Sequence, residues 1–321
     1  MAELPFSLAL IRFLADNRID LLTILFQFFT FLGETEGYIL VIALIYVMYD
    51  KKLAFRLSVL TLFMMSLNHF LKMLIRNPRP FISEGTYAEK WAVSAEKAQE
   101  LATEYSTPSG HAMAGSAFYS YLYASAKNRY VRIIAILLLL LTGLSRPYLG
   151  VHYLEDVLIG WAIGITVTLI IIKYAENIHT VWSTCSYRQQ VTIVVISSVM
   201  LWLITRVLTD WSIDGQPLAF VGYAGFLTGI VVAYPLETQK VNFDPRSSPA
   251  LFKILRYVLS VGMVIGTLLL LDKAFTLIST DYSLLGYALR YIRYTIAGIV
   301  AMFLAPVLFV RLGLAETIPK R

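Results

Sequence analysis

The chain has 321 residues, of which 58% are hydrophobic and only 15% are charged, and its mean hydropathy is +0.67. This is more apolar surface than a soluble core of that length can bury, which excludes a water-soluble globular protein. The net charge of +6 does not indicate a nucleic-acid partner, because the basic residues are scattered in short segments between apolar runs. Cys185 is the only cysteine, so an intrachain disulfide and a thiolate metal cluster are both excluded.

The N-terminal segment, residues 1–35, is apolar but carries interrupting charges such as Arg12, Asp16 and Asp20. Its longest apolar run without a charged residue, residues 21–32, is short for a membrane span of about 20 residues. We therefore expect a helical segment that lies in the membrane interface, with a complete crossing as the alternative. The acidic residues that follow, Glu34 and Glu36, lie on the same side as the motifs described below and are interpreted as solvated loop charges, with a proton relay as the less favoured alternative.

The rest of the chain predicts an all-α fold, a polytopic bundle of about nine transmembrane helices, or ten if the N-terminal segment also crosses. Residues 36–175 contain the polar motifs described below, and residues 176–321 add further C-terminal transmembrane helices. Between the second and third spans lies a long polar insertion, residues 81–107, which we interpret as a lid or an entry wall of a site, with a short helix near 93–105. Two glycine pairs, Gly160 with Gly164 and Gly225 with Gly229, predict close helix packing. The predicted spans are roughly 37–50, 53–75, 111–127, 131–147, 156–174, 189–207, 217–235, 254–272 and 288–311.

Orientation follows from the lysines and arginines in the short loops, most of which fall on one side of the predicted bundle. The positive-inside rule places this side in the cytoplasm. We therefore expect an integral membrane protein of the bacterial inner membrane whose other side faces the periplasm or exterior, or the lumen in a eukaryotic cell. The basic residues of the cytoplasmic set are Lys51, Lys52, Lys127, Arg129, Arg132, Lys173, Arg188, Lys240, Arg246, Lys253, Arg256, Arg311, Lys320 and Arg321.

Three polar clusters stand at the ends of predicted spans on that other side. Their sequences are Lys72-Met-Leu-Ile-Arg-Asn-Pro-Arg79-Pro80, then Pro108-Ser109-Gly110-His111, then Ser145-Arg146-Pro-Tyr-Leu-Gly-Val-His152-Tyr-Leu-Glu-Asp156. Counting the spans puts all three clusters at one membrane face. They bring together fixed cations, two imidazoles, a carboxylate and a glycine turn, which are the groups that a phosphoryl-transfer site needs.

The cations in these clusters predict a binding site for a phosphate dianion. Lys72, Arg79 and Arg146 can neutralise its charge, and guanidinium groups suit bidentate contact with phosphate oxygens. Ser109 and Gly110 form a turn before a helix, where a hydroxyl, the backbone N–H groups and the positive helix end can face an anion. No carboxylate cluster has metal-binding spacing, so we predict a reaction without a metal ion or other cofactor.

The histidines predict a nucleophile and an acid. His152 and Asp156 lie four residues apart at the start of a helix and so share a face, where Asp156 can hold one imidazole nitrogen protonated and leave the other free to attack phosphorus. His111, on a different element, can protonate the leaving oxygen.

The ordered pattern Lys-x6-Arg-Pro, Pro-Ser-Gly-His and Ser-Arg-x5-His-x3-Asp resembles the signature of the type 2 phosphatidic acid phosphatases, a family that shares its helical core with vanadium haloperoxidases and bacterial acid phosphatases. The resemblance covers roughly residues 20–175, and the extra C-terminal spans resemble the layout of the sphingosine 1-phosphate phosphatase and glucose 6-phosphatase branches. It implies a phosphohistidine at His152, support from Asp156 and acid catalysis by His111. The residues it implies for holding the phosphate are Lys72, Arg79, Ser109, Gly110 and Arg146.

These observations favour an integral membrane, metal-independent phosphatase that hydrolyses lipid phosphates or diphosphates, with membrane lipids as its other partners. A polar phosphate site at the ends of lipid-embedded helices gives an amphiphile access to both phases. Three alternatives stay open: hydrolysis of a soluble sugar phosphate, phosphoryl transfer to an acceptor lipid, and non-enzymatic lipid transport. Transport is less favoured because the sequence shows no internal repeat.

Overall fold

The protein is helical throughout the part of the chain that the structure describes. The structure is a computed structural model and describes residues 4–208 and 218–319. Among these residues the β-structure is limited to one isolated bridge between Phe243 and Thr317. The predicted all-α, polytopic class is confirmed. The helices are α1 Leu8–Asp16, α2 Asp20–Leu32, α3 Thr35–Met48, α4 Lys51–Ile75, α5 Tyr87–Lys90, α6 Ala95–Ala102, α7 Gly110–Ser125, α8 Arg129–Tyr148, α9 Leu154–Lys173, α10 Ala175–Thr184, α11 Tyr187–Leu208, α12 Leu218–Lys240, α13 Ala250–Thr276 and α14 Leu284–Ile299, continued by a π-helical turn Val300–Leu304 and α15 Ala305–Arg311.

The predicted count of nine spans is not confirmed. Seven helices in the described ranges are long and apolar enough to cross a membrane, or eight if the bent pair α2 and α3 makes one span. Each of the nine predicted spans falls on a helix, but α3 has 14 residues and α7 has 16. At about 1.5 Å per residue these two helices are roughly 21 and 24 Å long, which is less than the hydrocarbon thickness of about 30 Å. In α7 the first turn belongs to the Pro-Ser-Gly-His motif, which shortens its apolar part.

The N-terminal segment forms two helices, α1 and α2, both of which contact α8. The axes of α2 and α3 differ by 63° across the break at Gly33 and Glu34. Thr30, near the end of α2, is buried. The segment is therefore packed on the helix that carries Arg146. Its position at a membrane interface stays a prediction.

The contacts between helices divide the chain into two compact units. The N-terminal unit comprises the described residues within 1–38, 63–177 and 207–215, and the C-terminal unit those within 39–62, 178–206 and 216–321. In the N-terminal unit, α7 packs against α8 and α9; in the C-terminal unit, α12 packs against α14. All the motif residues lie in the N-terminal unit.

Both glycine pairs serve close helix packing, as predicted. A Cβ atom at Gly160 would lie 2.9 Å from the Ser109 carbonyl oxygen, and one at Gly164 would collide with the Ser116 hydroxyl on α7. In the C-terminal unit, Gly225 and Gly229 meet the backbone of α14 in the same way. The first pair matters for function, because it sets how closely α9 approaches the start of α7.

Candidate active site

The ends of four helices carry the predicted site residues. Lys72 lies in the last turn of α4, Arg146 in the last turn of α8, and Asp156 in the first turn of α9. Arg79 and His152 lie in the segments just outside α4 and α9. The motif Ser109, Gly110 and His111 forms the N-cap and first two residues of α7.

His152 and Asp156 form a buried pair. His152 Nδ1 lies 3.3 Å from Asp156 Oδ2, and both side chains are at most 1% exposed. The carboxylate also accepts hydrogen bonds from the hydroxyls of Ser106 and Thr107 and from the Tyr153 N–H. With these donors around it, Asp156 is held in place and can accept the proton of Nδ1.

The other nitrogen of His152 faces a guanidinium. Nε2 lies 2.9 Å from Nη1 of Arg79, which also donates to the Val151 carbonyl oxygen at 2.9 Å. Because arginine has only donors, Nε2 must act as the acceptor in this contact, which assigns the proton of the neutral ring to Nδ1. The lone pair of Nε2 therefore points toward the cations.

Several positive charges converge on this imidazole. Burial first, and then the charges of Arg79, Arg146 and Lys72, lower the pKa of His152 well below its ordinary value of 6.5. The ring is consequently neutral at pH 7. A neutral imidazole beside fixed cations is the form that can attack phosphorus.

Glu104 pairs with two of the predicted phosphate-binding cations. Its Oε2 lies 3.1 Å from Lys72 Nζ and 2.9 Å from Arg79 Nη2. Burial alone would raise the pKa of Glu104, but the charges of Lys72 and Arg79 outweigh burial and lower it well below its ordinary range. Glu104 is therefore an anion at neutral pH, held where an oxygen of a bound phosphate is expected.

The start of α7 is fixed by backbone and amide contacts. The Ser109 N–H donates to the Asp156 carbonyl oxygen at 3.1 Å, and Asn68 Nδ2 donates to the Pro108 carbonyl oxygen at 2.9 Å. A Cβ atom at Gly110 would lie only 2.9 Å from Asn68 Oδ1, so glycine allows this close approach. Ser109 does not cap α7 with its side chain.

Arg146 is tied to the N-terminal segment. Its Nη1 donates to Thr30 Oγ1 at 3.2 Å, and the Thr30 hydroxyl lies 2.7 Å from Ser145 Oγ. Helix α2 thus contributes a direct contact to a motif cation.

Four polar atoms of the motif residues are buried and have no hydrogen-bond partner among residues 4–208 and 218–319. A buried polar group without a partner costs about 1–3 kcal/mol, and a bound oxyanion would offset this at the guanidinium N–H groups and the serine hydroxyl by accepting their hydrogen bonds. The atoms are Arg79 Nε, Ser109 Oγ, His111 Nε2 and Arg146 Nε. The nearest acid to His111 Nε2 is Glu34, whose Oε1 lies 4.0 Å away.

Five residues that contact the motif residues were not predicted from the sequence: Glu104, Ser106, Thr107, Asn68 and Thr30. Ser106 and Thr107 had a usable signal, since a hydroxyl pair directly precedes the Pro-Ser-Gly-His motif. Glu104 falls inside the insertion of residues 81–107, and Thr30 lies in the N-terminal segment predicted to lie at the membrane interface. In the described ranges, no group of three or more His, Cys, Asp or Glu side chains is placed to hold a metal ion.

Residues 53–179 match the model of the PAP2 superfamily, and residues 221–317 match that of the PAP2 superfamily phosphatase transmembrane extension. The chain therefore belongs to the PAP2 superfamily, which confirms the resemblance to the type 2 phosphatidic acid phosphatases.

Several curated relatives are named phosphatases. The chain is 33% identical over 156 residues to human sphingosine-1-phosphate phosphatase 2, covering 47% of this chain and 36% of that protein. It is 33% identical over 85 residues to phosphatidylglycerophosphatase B of Bacillus subtilis, covering 24% of this chain and 42% of that protein. The match to rat sphingosine-1-phosphate phosphatase 1 is 26% identical and covers 91% of this chain and 72% of that protein. The match thus spans less than half of the first two relatives. Among solved structures, Aquifex aeolicus LpxE matches with a TM-score of 0.45 and 23% identity, over 54% of this chain and 100% of that one.

Glu104 should compete with an oxyanion for Lys72 and Arg79. We expect Glu104→Gln to bind inorganic phosphate about tenfold more tightly than the unmodified protein, because the substitution removes one negative charge from the cation cluster. Isothermal titration calorimetry in detergent measures this affinity.

Glu100→Gln is the matched control, since Glu100 carries the same charge on α6 but pairs with Lys97 and is 58% exposed. Equal phosphate affinity of Glu104→Gln and the unmodified protein would show that the carboxylate does not compete.

Proposed function

We propose that the protein is a membrane phosphatase that hydrolyses lipid phosphates or diphosphates through a phosphohistidine at His152. The observation that carries the proposal is the buried, neutral imidazole of His152, with Nδ1 facing Asp156 and Nε2 facing Arg79. The names of the relatives, which are phosphatases of sphingosine 1-phosphate and phosphatidylglycerophosphate, support this reaction class.

In the first step the site holds the phosphate and forms a bond to it. Lys72, Arg79 and Arg146 neutralise the phosphate oxygens, and the Ser109 hydroxyl and the Gly110 turn contact them. His152 Nε2 attacks phosphorus, the bond between phosphorus and the leaving oxygen breaks, and the electron pair of that bond stays on the oxygen. His111 donates a proton to this oxygen, and the product alcohol departs.

In the second step water releases the phosphate. His111, now neutral, accepts a proton from water as the water oxygen attacks phosphorus. The bond between phosphorus and Nε2 breaks, and its electron pair returns to the neutral ring of His152. Asp156 keeps the proton on Nδ1 throughout both steps.

The same cations support a reaction without a metal ion. Lys72, Arg79 and Arg146 together supply the positive charge that many phosphatases obtain from bound divalent cations. The carboxylates nearest to the phosphate seat, Glu104 and Asp156, are already occupied by basic or hydroxyl partners.

A lipid is the substrate class that fits the setting of the site. Its residues stand at the ends of α4, α8 and α9, each of which is long and apolar enough to span a membrane. A headgroup can therefore reach the cations while the tail stays among apolar helix surfaces. From the distribution of loop charges we further propose that this face is the periplasmic, exterior or lumenal one.

Removal of the nucleophile should abolish phosphate release. We expect His152→Ala to lower the rate by about 10³-fold or more with whichever substrate the protein hydrolyses best, because the covalent step is lost. The assay is a phosphate-release screen over sphingoid, phosphatidic acid type and isoprenyl phosphates with a sugar phosphate, in detergent and with excess EDTA.

His179→Ala is the matched control, since His179 is an exposed histidine on α10. A clear preference for the sugar phosphate would contradict the proposal of a lipid substrate. Phosphate release that requires added magnesium would contradict the proposal of a metal-independent reaction. Transfer of the phosphoryl group to an acceptor lipid, identified by product analysis, would make the protein a phosphotransferase. Lipid transport that survives in His152→Ala would contradict the assignment of hydrolysis as its activity.

Activity should fall in acid as His152 becomes protonated. Since its pKa is lowered, the ring stays neutral until the pH drops below the ordinary value of 6.5, and kcat/KM should decline only below that pH. Glu104 opposes this shift, so Glu104→Gln should move the decline to still lower pH.

The substrate phosphate also titrates near pH 6, but its pKa is the same for every variant, so the difference between variants reports the enzyme. A profile that is identical in Glu104→Gln, Glu100→Gln and the unmodified protein would contradict the assignment of the acid limb to His152.

Cysteines introduced before and after α7 should react with a maleimide from opposite sides of the membrane. In a Cys185→Ser background, a membrane-impermeant maleimide should label Ala88→Cys in intact cells and Lys127→Cys only after permeabilisation. Both positions are exposed, one before α7 and one after it. The reverse pattern would place the site in the cytoplasm.

A further inference from the structure

The break between α2 and α3 lies directly against His111. A Cβ atom at Gly33 would lie 3.1 Å from His111 Cδ2, so the glycine lets the chain pass close to the ring. The next residue, Glu34, places its Oε1 4.0 Å from His111 Nε2. The side chain of Glu34 is 31% exposed and that of His111 is 17% exposed.

In the described residues, Glu34 has no competing ion pair and His111 Nε2 has no competing hydrogen-bond partner. Glu34 forms no ion pair with a lysine or arginine in residues 4–208 and 218–319, and His111 Nε2 has no hydrogen-bond partner in those residues. Nε2 itself is buried although part of the ring is exposed, so the exposed edge of the ring is a different one. Glu34 is thus the acidic side chain that lies within 4.0 Å of Nε2 in the described residues.

The surroundings of His111 make a nearby carboxylate useful. Burial is the largest cause that disfavours a protonated imidazole there, and the charges of Arg146, Lys97 and Lys72 and the nearby ring of His152 act in the same direction. Glu34 in turn interacts electrostatically with the cations Lys97 and Arg146 and with the acids Glu36 and Glu100. An acid catalyst must carry a proton in these surroundings, and a carboxylate close to Nε2 offsets the repulsion.

We propose that Glu34 is a positioning residue for His111 that accepts the Nε2 proton and so directs the Nδ1 proton to the leaving oxygen. This inference rests on the proposed function and adds a carboxylate partner for its acid. A movement of about 1 Å brings Oε1 within hydrogen-bond distance. The ring then gives its Nδ1 proton to the leaving oxygen and takes one back from water, while the Nε2 proton stays on the ring.

The test compares substrates that differ in their need for an acid. An alkyl phosphate must have its leaving oxygen protonated, whereas p-nitrophenyl phosphate releases a stable anion. We expect Glu34→Gln to lower kcat for the alkyl phosphate by about 30-fold, within the range known for general acids, and to change kcat for p-nitrophenyl phosphate by less than about threefold. Glu34→Ser should give the same discrimination and serves if the glutamine variant does not fold.

Glu36→Gln is the matched control, because Glu36 is an exposed acid two residues further along. An equal loss for both substrates would show a structural role, and a loss limited to substrates with an ammonium group would show that Glu34 contacts the substrate; either result overturns the inference. The inference is also overturned if Glu34→Gln and Glu36→Gln change kcat for the two substrates by the same factors. If the unmodified protein hydrolyses neither these nor lipid phosphates, the proposed function itself fails.

Discussion

The site depends on keeping several positive charges in a buried cluster next to an imidazole that must stay neutral. Arg79 and Arg146 are at most 2% exposed and Lys72 is 9% exposed. Buried like charges repel one another and are costly unless they are paired. Glu104 offsets part of this cost by binding two of the cations at once. The same repulsion disfavours a protonated His152, so the proposed phosphate-binding cations also keep the proposed nucleophile neutral.

In the N-terminal unit, the close packing of α7 against α9 also sets the geometry of the site. The Ser109 N–H donates to the Asp156 carbonyl oxygen, which ties the start of α7 to the start of α9. Gly160, one turn further along α9, lies so close to the Ser109 carbonyl oxygen that a larger residue would push the helices apart. Gly150, with φ +84°, turns the chain between Arg146 and His152 without the strain that other residues incur. Small residues next to the motifs therefore fix the distances between the functional groups.

The positions of the motif residues could be predicted because each stands at or near a helix end, where local sequence determines position. Glu104 and Thr30 could not, since their contacts exist only after the insertion has folded over Lys72 and α2 has packed on α8. No periodic sequence pattern predicts that the insertion covers Lys72 or that α2 packs on α8. Each span predicted from hydropathy falls on a helix of the described residues, but the number of full crossings was not predicted, because hydropathy measures composition and not where an apolar run gives way to a polar turn. The start of α7 is such a turn.

Each of the two histidines lies near a carboxylate, but the carboxylates differ in how firmly they are held. Asp156 is fully buried and accepts hydrogen bonds from Ser106, Thr107 and the Tyr153 N–H, so it is held in place, as a partner that maintains one tautomer should be. Glu34 is partly exposed, stands at a helix break and lies 4.0 Å from its histidine. A carboxylate with that freedom can follow a ring whose protonation changes during the reaction. The pattern His-x3-Asp expresses only the first arrangement, because its two partners are four residues apart in the sequence. The second arises where the break between α2 and α3 lies against the start of α7.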